Sequence, residues 1–324
     1  MEDFSEMSMS RAAAAVLILM TLTAAPTLAQ DKRAARAPDT DQTIDVTRGA
    51  RLSVNNFAGE VVIRTWDQDR LRVLARHSSR TRVSIRNTPA AVSVSSESST
   101  GVASVDYEIT APAWMAVKVD GTYNFVSIEG AQAEVSATTV RGDIIVKGGT
   151  GFVTARSIEG EVLVDGARGR INVASVNERI RITGSSGDIV AETTNGDISM
   201  TGMDAKSVEA GTVNGEVTFE GNLTGGRYRF TTHNGDITLN VPETAGATFS
   251  VRTYDGDFST NLPLKSAGAA DPKRGRRVTF TLGSGGAEVE LESFNGTIRV
   301  LRPGTTRAGT RDKDLGALEP PAVR

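Results

Sequence analysis

What most restricts the folds open to this chain is a spaced repeat. From Thr138 onward one short phrase recurs: TTVRGDIIV (138–146), RSIEGEVLV (156–164), ASVNERIRI (174–182), ETTNGDISM (192–200), GTVNGEVTF (211–219), TTHNGDITL (231–239), RTYDGDFST (252–260) and ESFNGTIRV (292–300). The anchor position of the phrase falls at 142, 160, 178, 196, 215, 235, 256 and 296, and is Gly everywhere except Glu178. The intervals are 18, 18, 18, 19, 20, 21 and 40 residues, so the last one holds either a skipped copy or an insertion. A weaker copy falls midway, with Gly151 before Val153, Gly169 before Ile171 and Gly187 before Ile189. About nine residues make one short strand and one tight turn, and two such halves close a coil. Coils of this kind stack about 4.8 Å apart through parallel strand pairing, each repeat position above its equivalent. The repeat therefore predicts an all-β chain whose main body is a β-solenoid, parallel β-helix-like or β-roll-like, with coils of 18–21 residues over 126–303. Ile144, Val162, Ile180, Ile198, Val217 and Ile237 would form one buried apolar column.

The stretch before the repeat consists of short alternating runs. Ile44/Val46, Leu52/Val54, Val61/Ile63, Leu71/Val73, Val83/Ile85, Val92/Val94, Val105/Tyr107/Ile109 and Val117/Val119 put an apolar side chain on every second residue, as half-buried strands do. No stretch of the mature chain keeps a 3.6-residue period, so no helix is expected. Residues 41–125 are thus expected to be an N-terminal β-strand region, and NFAGEVVI (56–63) looks like an early copy that leads into the same stack. Residues 261–277 break the rhythm as a basic surface loop. Val278–Leu282 and Ala287–Leu291 then alternate around Gly283-Ser284-Gly285-Gly286, the pattern of a closing hairpin.

The N-terminus points to export. Arg11 precedes an apolar run from Ala12 to Leu22, and Thr27-Leu28-Ala29 offers small residues where a signal peptidase reads. Residues 1–29 read as a signal peptide cleaved near Ala29-Gln30, since the run falls short of the ~20 apolar residues that span a bilayer. Glu2, Asp3 and Glu6 are foreign to a positive leader, which leaves Met1, Met7 and Met9 as candidate starts. Residues 30–40 read as a linker and 304–324 as a disordered tail. The expected location is the periplasm or, after secretion, the cell surface, with no transmembrane segment in the mature chain. The chain has no Cys, and it is long enough to bury a core without disulfides. Loss of three leader acids and one Arg moves the net charge from −3 to −1, a near-neutral mixture that argues against nucleic acid as a partner. With 5% aromatics and 33 glycines, a thin core with many turns is expected.

Several patterns invite a chemical reading beside a structural one. Asn-Gly pairs at 195–196, 214–215, 234–235 and 295–296, with Asp255-Gly256, favour positive φ and tight turns, and stacked asparagines would form an amide ladder. Thr139, Ser157, Ser175, Thr193, Thr212, Thr232, Thr253 and Ser293 would form a hydroxyl column. The acid after the anchor is the sharpest candidate for chemistry: Asp143, Glu161, Asp197, Glu216, Asp236 and Asp257. Stacked about 5 Å apart, like charges repel by about 1 kcal/mol per pair even at water's dielectric, which a calcium ion would relieve. The Gly-Gly-x-Gly-x-Asp pattern of calcium β-rolls is missing, however, and Arg179 and Thr297 interrupt the column. Carboxylates that accept turn N–H groups are the structural reading. His233 occupies a slot filled elsewhere by Val213, Tyr254 and Phe294, which suggests a stacked column, and His77 lies among Arg64, Arg70, Arg72, Arg76, Arg80, Arg82 and Arg86. Those arginines read as the wet face of a sheet, with an anionic glycan or lipid surface as the alternative. Glu288, Glu290 and Glu292 share a strand face opposite Arg276 and Arg277. No zinc-protease, serine-nucleophile or phosphate-loop pattern occurs, so no catalytic, cofactor or metal residues are assigned.

The run Val61-Val62-Ile63-Arg64-Thr65-Trp66, the later Ile109-Thr110-Ala111-Pro112, and the repeated Asn-Gly-Asp-Ile units resemble the bacterial putative-adhesin family of unknown function, over about residues 41–303. The resemblance implies a β-solenoid, an envelope or extracellular location, and no established activity. Two function classes follow. One is an exported, non-catalytic adhesin-like or cell-envelope scaffold that binds a glycan, an envelope component or a surface protein. The other is a carbohydrate-active enzyme, a polysaccharide lyase or hydrolase on a β-helix. A calcium-stabilised β-roll is a third reading.

Overall fold

A computed structural model describes residues 39–99, 101–263 and 277–304. The expected signal peptide, all but the end of the linker, most of the 261–277 loop including Arg276, and the tail beyond 304 lie outside the described residues. Within them there are 23 strands and no helix. The first seven are β1 (Thr40–Asp45), β2 (Arg51–Trp66), β3 (Arg70–His77), β4 (Thr81–Asn87), β5 (Ala91–Ser98), β6 (Val105–Pro112) and β7 (Ala116–Ala131). The central set is β8 (Val135–Thr138), β9 (Ile144–Gly148), β10 (Thr150–Arg156), β11 (Val162–Asp165), β12 (Arg168–Ala174), β13 (Ile180–Thr183), β14 (Ser186–Glu192), β15 (Ile198–Asn214) and β16 (Val217–Gly221). The last are β17 (Gly226–Asn234), β18 (Ile237–Asn240), β19 (Ala247–Thr253), β20 (Phe258–Thr260), β21 (Arg277–Leu282), β22 (Ala287–Asn295) and β23 (Ile298–Leu301).

The pairing makes a β-solenoid with two faces. On the first, Val135, Val153, Ile171, Ile189, Val208 and Tyr228 lie opposite one another in parallel register along β8, β10, β12, β14, β15 and β17. On the second, Val126, Ile144, Val162, Ile180, Ile198, Val217 and Ile237 do the same along β7, β9, β11, β13, β15, β16 and β18. Strand alternation sends these side chains inward, where the two faces meet in one continuous buried core. Ala137, Ala155, Ala191 and Ala210 fill it in the central coils, whereas Phe219, Tyr228, Phe230 and Phe249 fill it towards the C-terminal end. The buried Tyr228 hydroxyl donates to the Ala205 carbonyl at 2.7 Å, so its polar tip is satisfied.

The stack begins earlier than the expected boundary at 125/126, which falls inside β7. Residues 51–64 of β2 pair in parallel with β7, and both halves of β2 also pair in parallel with β5 and β6. Chain order and spatial order differ here: β2 lies between β7 and the later β5–β6 coil. The same exchange occurs at the other end. β22 and β23 enter between β17–β18 and β19–β20, pairing in parallel with both. The anchor glycines thus stack in the order 235, 296, 256 rather than in chain order.

The hairpin expected between 278–282 and 287–291 does not form. β21 pairs antiparallel with one edge of β19 while β22 pairs parallel with its other edge. Charge explains the choice. Glu288, Glu290 and Glu292 on β22 meet Arg227 and Arg229 of β17 on one side, and Arg252 and Arg277 on the other, at 3.7–4.0 Å. An acidic strand between two basic ones satisfies both, whereas chain-order stacking would set β19 with Arg252 directly on β17. Each end then finishes on antiparallel strands: β4 on β5, β3 on β6 with β1 outermost, and β21 on β19.

Candidate functional site

Where the first face turns into the second, the repeat phrase stacks into parallel columns. Innermost is the hydroxyl column, which is buried. Thr139 donates to the Thr122 and Arg141 carbonyls, and from Ser157 on the hydroxyls donate to the anchor carbonyl of the neighbouring coil: Ser157 to Gly142 at 3.0 Å, Ser175 to Gly160 at 3.2 Å, Thr212 to Gly196 at 2.9 Å, Thr232 to Gly215 at 3.0 Å and Ser293 to Gly235 at 3.1 Å. The N-terminal coils use Asn56 and Asn124 for similar work, donating to Val105 and Gly59 carbonyls.

The glycines serve a different purpose from the one expected at most positions. Gly142 does have a φ of 127°, but Gly160, Gly196, Gly215, Gly235 and Gly256 lie outside the positive-φ region. They are required by close approach: a Cβ at any of these five would lie 1.9–2.2 Å from the backbone carbonyl oxygen of the adjacent coil. Beside them the asparagines form an exposed amide ladder. Asn195 donates to Asn177, Asn214 to Asn195, Asn234 to Asn214 and Asn295 to Asn234, at 2.8–3.1 Å.

The acid column is built into the same stacking. Asp143 Oδ1 accepts the Glu161 N–H at 2.8 Å, Asp197 Oδ1 that of Glu216 at 2.9 Å, and Asp236 Oδ1 that of Thr297 at 2.8 Å. Asp106 does the same for Glu60 at 3.0 Å, so the column extends into the N-terminal coils. Arginines offset the repulsion between stacked acids: Arg179 lies 3.8 Å from Asp197, Arg181 3.7 Å from Glu161 and Arg299 2.6 Å from Asp236. Arg179 is therefore a counter-charge within the column as well as a break in it. Glu60, beside Asp106 and Glu108, has its pKa raised, first by burial and then by those two neighbouring charges. Among the described residues no group of three or more His, Asp and Glu is placed to hold a metal ion.

Between the hydroxyl and amide columns runs a feature that sequence reasoning glimpsed only around His233. The intervening residue is exposed at Phe57, Val140, Ile158, Val176, Thr194, Val213, His233 and Phe294, and half-buried at Thr122 and Tyr254. Its own carbonyl stays in the stack, accepting for example the Asn177 N–H at Ile158 and the Asn195 N–H at Val176. The backbone is thereby held while the side chain is left to solvent, and Ile158 and Val213 are each 45% exposed. Tyr123, one position further along its coil and 48% exposed, closes on Phe57 with ring centroids 5.5 Å apart. At the other end His233 stacks on Phe294 at 4.7 Å and Phe294 on Tyr254 at 5.2 Å. Arg252 covers the Tyr254 ring at 4.5 Å, and the Tyr254 hydroxyl meets Glu292 at 3.3 Å. These rings present their edges outward, because their faces are occupied by one another. The signal that could have revealed this ridge is the apolar character of the variable residue in Val140, Ile158, Val176 and Val213.

No curated protein matches this chain. Among solved structures it is similar to a putative cell adhesion protein from Clostridium sporogenes, at 10% identity over 81% of this chain and 99% of that one, with a TM-score of 0.28. It is also similar to a putative adhesin from Bacteroides fragilis, at 12% identity over 82% of this chain and 98% of that one, with a TM-score of 0.41. The family match spans residues 43–301, the whole two-faced stack with its exchanged end coils, and on it the chain belongs to the Toastrack DUF4097 family.

Proposed function

We propose that this protein is an exported, non-catalytic, adhesin-like scaffold of the cell envelope, a solenoid of 18–21-residue coils that binds an apolar partner surface along its ridge. The observation that carries the reading is the ridge itself, one outward side chain per coil, mostly apolar, on successive coils. The exposed aliphatic run Val140, Ile158 and Val176, resumed by Val213 beyond Thr194, is the kind of apolar patch that interaction surfaces present. Two further features support it. Four of the six column acids, Asp143, Glu161, Asp197 and Asp236, are engaged with backbone amides or arginines of neighbouring coils. The aromatic end offers ring edges, whereas a sugar-cleaving groove uses exposed ring faces as platforms.

The test is a ridge variant carrying Val140→Thr, Ile158→Thr and Val176→Thr, which keeps β-branching at each site. Exported in a bacterial host, the wild-type protein should sediment with the envelope fraction. The variant should be released to the soluble fraction while melting within a few degrees of wild type. Equal sedimentation of the two proteins, or a wild type that stays soluble, would refute the proposal.

A further inference from the structure

The seven arginines between positions 64 and 86 divide into two groups. Arg64, Arg70, Arg72 and Arg76 face Glu129, Asp45, Asp41 and Glu108 at 3.9, 3.3, 2.8 and 2.5 Å. Arg80, Arg82 and Arg86 have no ion-pair partner among the described residues. The first group is the wet face of a sheet, its charges matched strand by strand. The second is left over, and it is concentrated at one place: the edge strand β4 and the turn leading into it.

Arg82 and Arg86 share the outward side of β4, about 13 Å apart along the strand. Across the β4–β5 pair Arg86 faces Ser93, and Arg82 faces Glu97 without reaching it. Next to this edge opens a cleft of about 540 Å³, with Arg80, Arg82, Ser79, Ser99, His77 and Glu97 in its walls. Its lip is held in place. Ser99 donates to the Arg80 carbonyl through both its N–H, at 3.1 Å, and its hydroxyl, at 3.3 Å. His77 Nδ1–H donates to the Ser78 carbonyl at 2.9 Å, and Nε2 contacts the Thr40 hydroxyl at 3.0 Å.

Guanidinium groups are planar forks that match carboxylates in a bidentate manner, and unpaired ones keep that capacity for a ligand. The cleft has the volume of a small-ligand site. Its walls are hydroxyls and charges, with Val83 the one large aliphatic side chain, which suits a sugar and gives a lipid chain little to enter. We propose that this cleft binds an acidic oligosaccharide, with Arg80 and Arg82 holding one carboxylate and Arg86 a second further along the sugar chain. Glu97 opposes Arg82 in the same wall and limits the affinity.

The test is calorimetric titration of the mature protein with tetragalacturonate, with maltotetraose as the neutral probe. Wild type should bind the first, more weakly as salt rises, and not the second. The Arg80→Ser, Arg82→Ser, Arg86→Ser variant should lose at least about tenfold in affinity with an unchanged melting temperature. Arg227→Ser removes one positive charge at the far end of the solenoid and should stay within about twofold. Glu97→Gln should tighten binding by about threefold, a gain that misfolding cannot imitate. The proposal is overturned by no binding of tetragalacturonate, by a loss in Arg227→Ser as large as in the triple variant, or by Glu97→Gln leaving the affinity unchanged. It is equally overturned if phosphatidylglycerol vesicles, but not tetragalacturonate, bind through the three arginines.

Discussion

Replacing Gly235 with Ala tests the physical basis of the stack. The added Cβ would lie 1.9 Å from the Gly215 carbonyl oxygen, where ordinary contact begins near 3.4 Å, so the two coils must part by more than an ångström. Three bonds join these two coils at that point. They run from Gly215 N–H to the Asn234 carbonyl at 3.0 Å, from Thr232 Oγ1 to the Gly215 carbonyl at 3.0 Å and from the Asn234 amide to Asn214 at 2.8 Å. Losing two or three of them, at about 1 kcal/mol each, gives a destabilisation of about 2–3 kcal/mol. In a domain of this size that lowers the melting temperature by about 4–12 °C. Glu178 shows how the chain accommodates a side chain in this slot: its turn N–H is taken up by Ser175 Oγ at 3.3 Å, so the variant should fold at reduced stability. The control is Gly211→Ala, also outside the positive-φ region, where the nearest atom to a Cβ is the Thr231 hydroxyl at 3.0 Å. That side chain can rotate away, and the expected change is within about 0.5 kcal/mol. Urea and thermal melts of the three proteins decide. If Gly235→Ala melts with wild type, or if both variants lose equally, close approach is not what the column of glycines serves.

The remaining expectations concern the core, the acids and pH. Ile198→Asp would bury an unpaired charge and should abolish soluble accumulation, whereas Ser199→Asp on the outward side of the same strand should be nearly silent; expression and melting measurements compare them. Because Asp143, Asp197 and Asp236 already accept backbone amides, melts in EDTA and in about 1 mM calcium should coincide, and a shift above about 5 °C abolished by Asp197→Asn with Asp236→Asn would make the column a metal site. The folded state raises the Glu60 pKa, so this group's contribution to stability is fullest below the ordinary glutamate pKa and declines as pH rises through the shifted value. Asp41, Asp69 and Glu159 are lowered, by Arg72, by Trp114 with Arg48, and by Arg141, and act in the opposite sense as pH falls. Glu60→Gln should therefore raise the melting temperature at neutral pH and flatten its fall between acid and neutral pH.

Much of the fold was legible because a solenoid repeats its physics in every coil. The inward column from Ile144 to Ile237, the hydroxyls and the asparagine ladder all follow from one phrase and its period. The order of the end coils was not legible, because spacing along a chain says which segments are coils and nothing about which coil lies beside which. The clue was electrostatic: Glu288, Glu290 and Glu292 complement Arg227 and Arg229 on one side and Arg252 on the other. The glycines were misjudged in mechanism. Asn-Gly suggests a left-handed turn, while the requirement at Gly196 and Gly235 comes from the neighbouring coil, which no local dipeptide rule contains. The basic cleft escaped notice for a similar reason. Arg82, like Arg70, has an acid directly opposite it across the strand pair, and differs in that Glu97 stays out of its reach.

The exchanged end coils alter how such a rod resists being unravelled. In a simple stack the last coil has a single neighbour and peels away strand by strand under a small pulling force. Here a pull on residue 301 acts on β23, which is clamped between β18 and β20, so it must be sheared from both at once. β2 is held in the same way between β7 and the β5–β6 coil, behind the outermost β1, which pairs with β3 alone and takes a pull at the N-terminal side first. At the C-terminal end the weak point of the solenoid is thereby moved inward from the segment on which tension first acts. Loaded in tension at residue 301, the solenoid gains mechanical endurance from this arrangement without further coils or a disulfide.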